Sequence, residues 1–255
     1  MRNVLLIVAL VFCCVFTLVE CISASDNTIV LYLPLDENNG NTANDLSGLK
    51  NDAILKGGAK WTPGKFNSGV ELVANNYLEV KDSDSLDITK AMTIEFWSKI
   101  FALTADHQSG VEKGTAWSAG EYNLLPVYSG AVMFQLFDLP DACNEAANGP
   151  SVADGEWHFV VGVWDGKNII INVDGQEKQN LPCPGELNTN SDSLYIGCRA
   201  GSSRWMNGIL DEIKIYNRAL SVAEINKDME NPAVNLAVSP KSKLAVTWGS
   251  LKASF

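Results

Sequence analysis

From Ile29 to Tyr216 the chain is a succession of short segments with alternating apolar and polar residues, set between turn residues. No amphipathic stretch of helical period and ordinary helix length interrupts it. Alternation sends successive side chains to opposite faces of a strand, so a chain patterned this way must bury its apolar faces between sheets. The expected class is all-β. The clearest strands are residues 29–35, 77–80, 92–100, 132–137, 157–164, 169–173, 194–197 and 209–216.

Their connections carry matching chemistry. Asp165-Gly166 joins the strand at 157–164 to that at 169–173, and Asp174-Gly175 follows at once. Asp-Gly readily adopts the positive φ angles of tight hairpin turns. Within residues 157–163, Trp157, Phe159, Val161 and Val163 share one face and His158, Val160 and Gly162 the other, so both faces are expected to be at least half buried. After the last strand Ser221 stands three residues before Glu224, a capping-box spacing that predicts one short helix ending near Asp228.

The ends differ from the middle. Residues 1–24 carry a single cation at Arg2, an apolar run from Val4 to Val19, and the small residues Ser23 and Ala24, the layout of a signal peptide. Cleavage near Ala24 is the expectation, with a retained anchor or a lipidated Cys21 as the rival readings; Glu20 before that cysteine speaks against lipidation. No membrane span is expected after cleavage. The expected domain covers residues 25–230, and residues 231–255 read as a tail or appended hairpin around Ser239-Pro240-Lys241.

Loss of residues 1–24 removes Arg2 and Glu20 together, so the formal charge of −11 belongs to the remainder. Such a surface repels nucleic acid. Three of the six cysteines, Cys143, Cys183 and Cys198, remain in a compartment that favours pairing, and an odd number leaves at least one thiol over. Cys143 with Cys183 is the expected pair, since both lie in polar loops that can move to meet, whereas Cys198 follows a short strand. The sequence leaves the other pairings open. With no CxxC and only two histidines, the spacing does not suggest zinc.

Leu33-Pro34-Leu35-Asp36-Glu37, Asp45-Leu46-Ser47-Gly48, Tyr77-Leu78-Glu79-Val80, Met92 to Trp97, Asp154 to His158, Val173-Asp174-Gly175, Leu194 to Gly197 and Asn207 to Ser221 occur in an order that resembles laminin G-like, concanavalin A-like jelly-roll domains of secreted bacterial proteins. The resemblance spans roughly residues 29–227. It implies a two-sheet antiparallel jelly-roll sandwich with one sheet concave and loops at its rim. Members bind glycans, proteins or no known ligand, so the fold alone fixes no function.

Candidate sites follow from residue chemistry. In the last strand Asp211 alternates with Ile209, Ile213 and Ile215, and a carboxylate on an apolar face needs a partner. A structural calcium ion held by Asp36, Asp211 and the oxygen-rich loop with Asn41, Asn44 and Asp45 would satisfy it, and the resemblance likewise implies an ion near the terminal strands. The competing reading has Asp36 capping a turn and Asp211 accepting backbone N–H groups. Glycan recognition needs an exposed aromatic face beside planar polar groups. Trp117, in the glycine-containing loop from His107 to Glu121, is the best candidate, followed by Tyr122, with Asp138, Asp141, Asn148 and Arg204 as polar groups at the rim. Trp61 and Trp205 read as core. Asp82, Asp84 and Asp87 read as a solvated turn.

A catalytic set is missing from this reading. His158 lies inside a strand with no GxSxG motif beside it, and the adjacent side chains of Asp211 and Glu212 should point to opposite faces. The expected function is a secreted, non-catalytic binding module, carbohydrate-binding or adhesive, whose partner is a polysaccharide or glycoconjugate. The alternatives are a structural domain that contacts another extracellular protein, and a polysaccharide hydrolase or lyase of the same fold.

Overall fold

The computed structural model describes residues 26–115, 117–141, 143–146 and 149–232; the expected signal segment, the expected tail from Ala233 onward, and Asn148 lie outside them. In chain order the strands are β1 (Ile29–Leu33), β2 (Thr42–Ala43), β3 (Ala53–Lys56), β4 (Lys60–Pro63), β5 (Ser68–Leu72), β6 (Tyr77–Val80), β7 (Met92–Ile100), β8 (His107–Gln108) and β9 (Val111–Lys113). They continue as β10 (Tyr122–Tyr128), β11 (Ala131–Leu136), β12 (Glu145–Ala146), β13 (Trp157–Trp164), β14 (Asn168–Val173), β15 (Gln176–Pro182), β16 (Leu194–Ile196) and β17 (Gly208–Tyr216), followed by helix α1 (Val222–Glu230).

Two antiparallel sheets result. The first runs β15-β14-β13-β7-β17-β5-β4, with β1 also on β17; the second runs β12-β11-β10-β9-β16-β6-β3-β2, with β8 also on β10. Alternation fixes what lies between them. Met92, Ile94, Phe96 and Ile100 of β7 and Val160 and Trp164 of β13 meet Leu124, Phe134 and Ile196 of the opposite sheet in one core. Burying each such side chain contributes about 1.5–3 kcal/mol.

The outer face of the first sheet is closed as well. Trp97, Phe159, Val161, Val163 and Tyr216 form a second cluster with Leu220 and Ile225, which α1 and the turn before it lay over them. The expected capping box is present, with the Ser221 side chain accepting from Glu224 N–H and Glu224 bonding back to the Ser221 backbone. Beneath the helix, Lys214 Nζ lies 3.1 Å from Asp228 Oδ1 and 3.6 Å from Glu95 Oε1. Burial and the facing Asp228 carboxylate lift the Glu95 carboxyl well above the usual range, against the pull of Lys214.

One expectation fails at β17. Asp211 pairs with Trp97 and Lys214 with Glu95, so Glu212 and Ile213 together oppose Phe96 alone. This is a β-bulge, with Glu212 at φ +53°. The extra residue resets the alternation. Ile213 and Ile215 enter the core with Leu210, while Asp211 stays on the outer face beside Trp97. Asp211 therefore does not share a face with Ile213 and Ile215.

The turns separate in type. Asp174 (φ +54°) and Gly175 (φ +75°) form a two-residue hairpin turn between the partners Val173 and Gln176, because both central residues take the positive φ that strand twist demands. Asp165-Gly166 instead belongs to a longer loop in which Asp165 Oδ1 accepts from Lys167 N–H at 2.8 Å and Asn168 N–H at 2.6 Å. Cys143 and Cys183 form a disulfide across 40 residues, and Cys198 is a buried free thiol. Among the described residues no helix is long and apolar enough to cross a membrane.

Candidate functional site

The outer face of the second sheet carries a polar row. Glu79, Tyr195, Glu112, Asn123, Gln135 and Glu145 are successive cross-strand partners on β6, β16, β9, β10, β11 and β12. Their chain neighbours Leu78, Ile196, Val111, Leu124 and Phe134 sit in the core, so the pleat turns the row outward. Asn123 Nδ2 donates to Gln135 Oε1 at 3.2 Å, and Gln135 Nε2 donates to Glu145 Oε1 at 2.7 Å. At that end the Tyr128 hydroxyl donates to Glu145 Oε2 at 3.5 Å and its ring meets His107 edge-to-face.

The loop after β16 folds back over the middle of the row. Ser109 N–H donates to the Arg204 carbonyl at 2.9 Å, and Met206 N–H to that of Gly197 at 2.9 Å, which anchors both ends of the loop. Arg199 Nε then reaches Glu112 Oε1 at 2.7 Å while its Nη2 pairs with Glu121. Arg204 Nη1 adds a longer contact of 3.4 Å to Glu112, and Ser109 Oγ donates to Glu112 Oε2 at 2.5 Å. Glu112 and Glu121 are both fully buried. Burial pushes the Glu112 carboxyl up to about 7, with Arg204, Ser109 and Arg199 opposing the rise.

Trp117 completes the arrangement. Its ring lies 5.4 Å from the Arg199 guanidinium and stands edge-to-face on Phe137 at 4.9 Å, yet the residue is 62 % exposed. Its backbone is at φ +56°, an uncommon conformation for a bulky residue that costs on the order of 1 kcal/mol. An indole held on two sides with its remaining surface open to solvent has little rotamer freedom left to lose.

The other sequence candidates divide. Arg204 lies on the loop that folds over this row, with its Nη1 on Glu112. Tyr122 does not: it is buried in the core with its hydroxyl donating to the Leu86 carbonyl at 3.0 Å, because the loop expected there is in fact β10 and Tyr122 takes an inward position on it. Asp138 braces loops, accepting from Gly120 N–H at 2.7 Å, Asn188 N–H at 2.8 Å and Asn188 Nδ2 at 3.0 Å. Asp141 is exposed in the turn before Cys143. Trp61 packs against the core, and Trp205 is half-buried with its ring 6.0 Å from Tyr77. Asp82 and Asp87 are more than a solvated turn, since they pair with the buried Lys113 at 2.7 and 3.5 Å.

Of the residues assigned to calcium, Asp36 and Asn44 line one cleft. Both oxygens of Asp45 are engaged by Tyr32 N–H, Ser47 N–H, Asn51 N–H and Ser47 Oγ. Asp36 accepts from Ser68 N–H and Asn67 Nδ2, and Asn44 donates to Glu37 through its backbone and side chain. Asn41 is exposed. Asp211 Oδ2 accepts from Phe66 N–H at 2.9 Å, while its Oδ1 is buried without a donor. Among the described residues no three Asp, Glu, His or Cys side chains come together as metal ligands would.

His158 is bonded to Asp174 at 2.7 Å and to Asp154 at 3.3 Å, which raises its pKa against the effect of burial. Glu112, Glu121, Asn123, Gln135 and Arg199 escaped the sequence reading. For Glu112, Asn123 and Gln135 the signal was a polar residue at an outward position of a short strand, whereas Glu121 and Arg199 lie off the strands. Pro126 within β10 and the three-residue length of β9 conceal it.

Comparison with known proteins places this geometry. Residues 72–226 match the family model described as the Concanavalin A-like lectin/glucanases superfamily. No curated protein matches the chain. Domain 4 of AbnA, an extracellular GH43 arabinanase from Geobacillus stearothermophilus solved with arabinotriose, is similar at a TM-score of 0.64 and 16 % identity, over 78 % of this chain and 97 % of that one. The binding domain of Paraclostridial Mosquitocidal Protein 1 is similar at 0.62 and 14 %, over 79 % and 51 %. That of Botulinum Neurotoxin DC, solved with SialylT, is similar at 0.61 and 16 %, over 80 % and 51 %. The chain spans about half the length of these toxin domains. At such identities the likeness is one of fold.

Proposed function

Since this chain belongs to the Concanavalin A-like lectin/glucanases superfamily, we propose that it is a non-catalytic module that binds a glycan against Trp117 and the loop carrying Arg199 and Arg204. The observation that carries this reading is Trp117, exposed over 62 % of its surface yet braced by Phe137 and Arg199. An indole face stacks on the apolar face of a pyranose, and Arg204, on the same loop as Arg199, carries planar donors. The solved neighbours support the class: each is a binding domain or a domain solved with a sugar, although those ligands belong to those proteins. We place the module outside the cell on the strength of residues 1–24 and of the disulfide, which oxidising compartments favour.

The same face argues against hydrolysis. Glycosidases need two carboxyl groups flanking a substrate bond. Glu112 and Glu121 are buried and joined through one guanidinium, so neither is presented to a substrate. The test is a glycan array with the full chain beside its Trp117→Ala variant, followed by assays for release of reducing sugar. Binding by the parent alone, with no sugar released, is the expected result. Failure of the parent to bind any glycan, or turnover of one, overturns the proposal.

A further inference from the structure

Three titratable side chains, Lys214, Glu95 and Asp228, meet out of reach of solvent between α1 and the outer face of the first sheet, beside the cluster that holds Tyr32, Tyr216 and Ile225. Lys214 of β17 lies opposite Glu95 of β7 on one side and Tyr32 of β1 on the other, and the ring of Tyr32 is 5.1 Å from its Nζ. Asp228 comes down from the helix, whose buried positions Ile225 and Asp228 are three apart and so share a face. None of the three side chains is more than 1 % exposed. Lys214 Nζ is 3.1 Å from Asp228 Oδ1 and 3.6 Å from Glu95 Oε1, yet it makes no aligned hydrogen bond to either. The Tyr216 hydroxyl donates to the other Asp228 oxygen, Oδ2, at 2.5 Å.

A buried ion pair stabilises little, because desolvation offsets the attraction. Joining amine to carboxyl removes both charges and leaves a neutral amide. In dilute solution that condensation is unfavourable, but groups held in contact by a fold react at an effective concentration on the order of 10⁵–10⁸ M. Exclusion of water also withholds the reagent that would reverse it. We propose that Lys214 and Asp228 condense in the folded chain into an intramolecular amide that ties α1 to β17, with Glu95 relaying the protons. Lys214 Nζ bonds to Asp228 Cγ, and the Cγ–Oδ1 bond breaks. Glu95 passes two protons in turn from the ammonium to Oδ1, which leaves as water, and ends in the state in which it began; Nζ keeps its third hydrogen. Oδ2, held by Tyr216, becomes the amide oxygen. Burial lifts the Glu95 carboxyl well above the usual range, so it has a proton to hand on more readily than an exposed acid would.

The test is the intact mass of the purified full chain after reduction of its disulfide. The parent should be lighter than its sequence by one water, and a tryptic digest should yield the peptide with Lys214 joined to that with Asp228, uncut after Lys214. Lys214→Met and Asp228→Ala should each restore the full sequence mass, and Glu95→Gln should leave most chains unlinked. Asp228→Asn gives a sharper reading, since the same attack on a carboxamide expels ammonia and the deficit should change from water to ammonia. Should the variants fail to fold, the mass and digest of the parent decide alone. A parent at full sequence mass, or a missing water that the digest places elsewhere or that survives Lys214→Met, overturns the proposal. A Glu95→Gln chain linked as completely as the parent overturns the role given to Glu95.

Discussion

The Arg199 guanidinium lies 5.4 Å from the ring of Trp117 while pairing with two buried carboxylates on its other edge, so one side chain joins the interior charge of the sheet face to its exposed aromatic. Support and contact surface are thereby separable. Trp117 can be lost without touching the carboxylates, and Arg199 cannot.

Trp117→Ala should abolish or weaken glycan binding at least tenfold while changing stability by no more than about 0.5 kcal/mol, as for an exposed residue. Calorimetry on the array-identified glycan and a urea melt measure the two effects. Comparable losses in both would show that Trp117 is structural.

Arg199→Met should cost about 3–5 kcal/mol, because it leaves Glu121 buried without its cation and Glu112 with only the longer Arg204 contact. Arg199→Lys should recover some of that and still disturb Trp117, since an ammonium cannot serve two carboxylates and a ring in one plane. The midpoint of urea unfolding reports the first consequence, and the difference in emission between forms with and without Trp117, one of seven tryptophans, reports the second.

Asp211 gives the folding equilibrium a pH dependence of defined sign. Burial, reinforced by the neighbouring Glu212, pushes its carboxyl up to about 8, against the Phe66 N–H bond. Its value in the unfolded chain is about 3.9. Between those pH values the folded state binds the extra proton, so this group's contribution to stability falls as pH rises from about 4 to about 8. Asp211→Asn should therefore melt several degrees above the parent at pH 8.5, with the gap closing toward pH 4.5. A gap independent of pH would remove the buried, donor-less Oδ1 as its origin.

The disulfide closes a loop of 40 residues, for which chain entropy gives a contribution of roughly 4 kcal/mol. Cys143→Ser with Cys183→Ser should lower stability by up to that amount. Cys198, buried and with its thiol pushed up to about 12 by burial, should resist a thiol reagent in the native protein and react once it is denatured. Rapid native labelling would contradict its placement.

The strands that sequence revealed are those whose alternation is long enough to read, such as β7 and β13, and the Asp174-Gly175 turn and Ser221 cap were legible because each rests on local backbone chemistry. The Cys143–Cys183 pair was likewise legible from loop character. Asp211 was misplaced because period two holds only until a bulge, and Glu212 carries no residue-type signal for its positive φ. The row from Glu112 to Glu145 was invisible for a different reason. Its residues are far apart in the chain and become neighbours only through pairing between β9, β10, β11 and β12, so an outward polar residue on one short strand does not show which others it will meet.

Near the start of the described chain, Arg218 donates to Asp26 Oδ2 at 2.6 Å and to Glu224 at 2.9 Å, and β1 pairs with β17 so that Ile29 lies opposite Tyr216. The beginning of one strand and the end of the other thus leave side by side. Pulled apart along those two directions, once α1 has been lifted and with no Lys214–Asp228 amide in place, the sandwich would load the Arg218 clamp first and then break its backbone hydrogen bonds singly, in sequence. Its mechanical response is that of a zipper, with low resistance along this axis whatever the stability of the core to heat or urea.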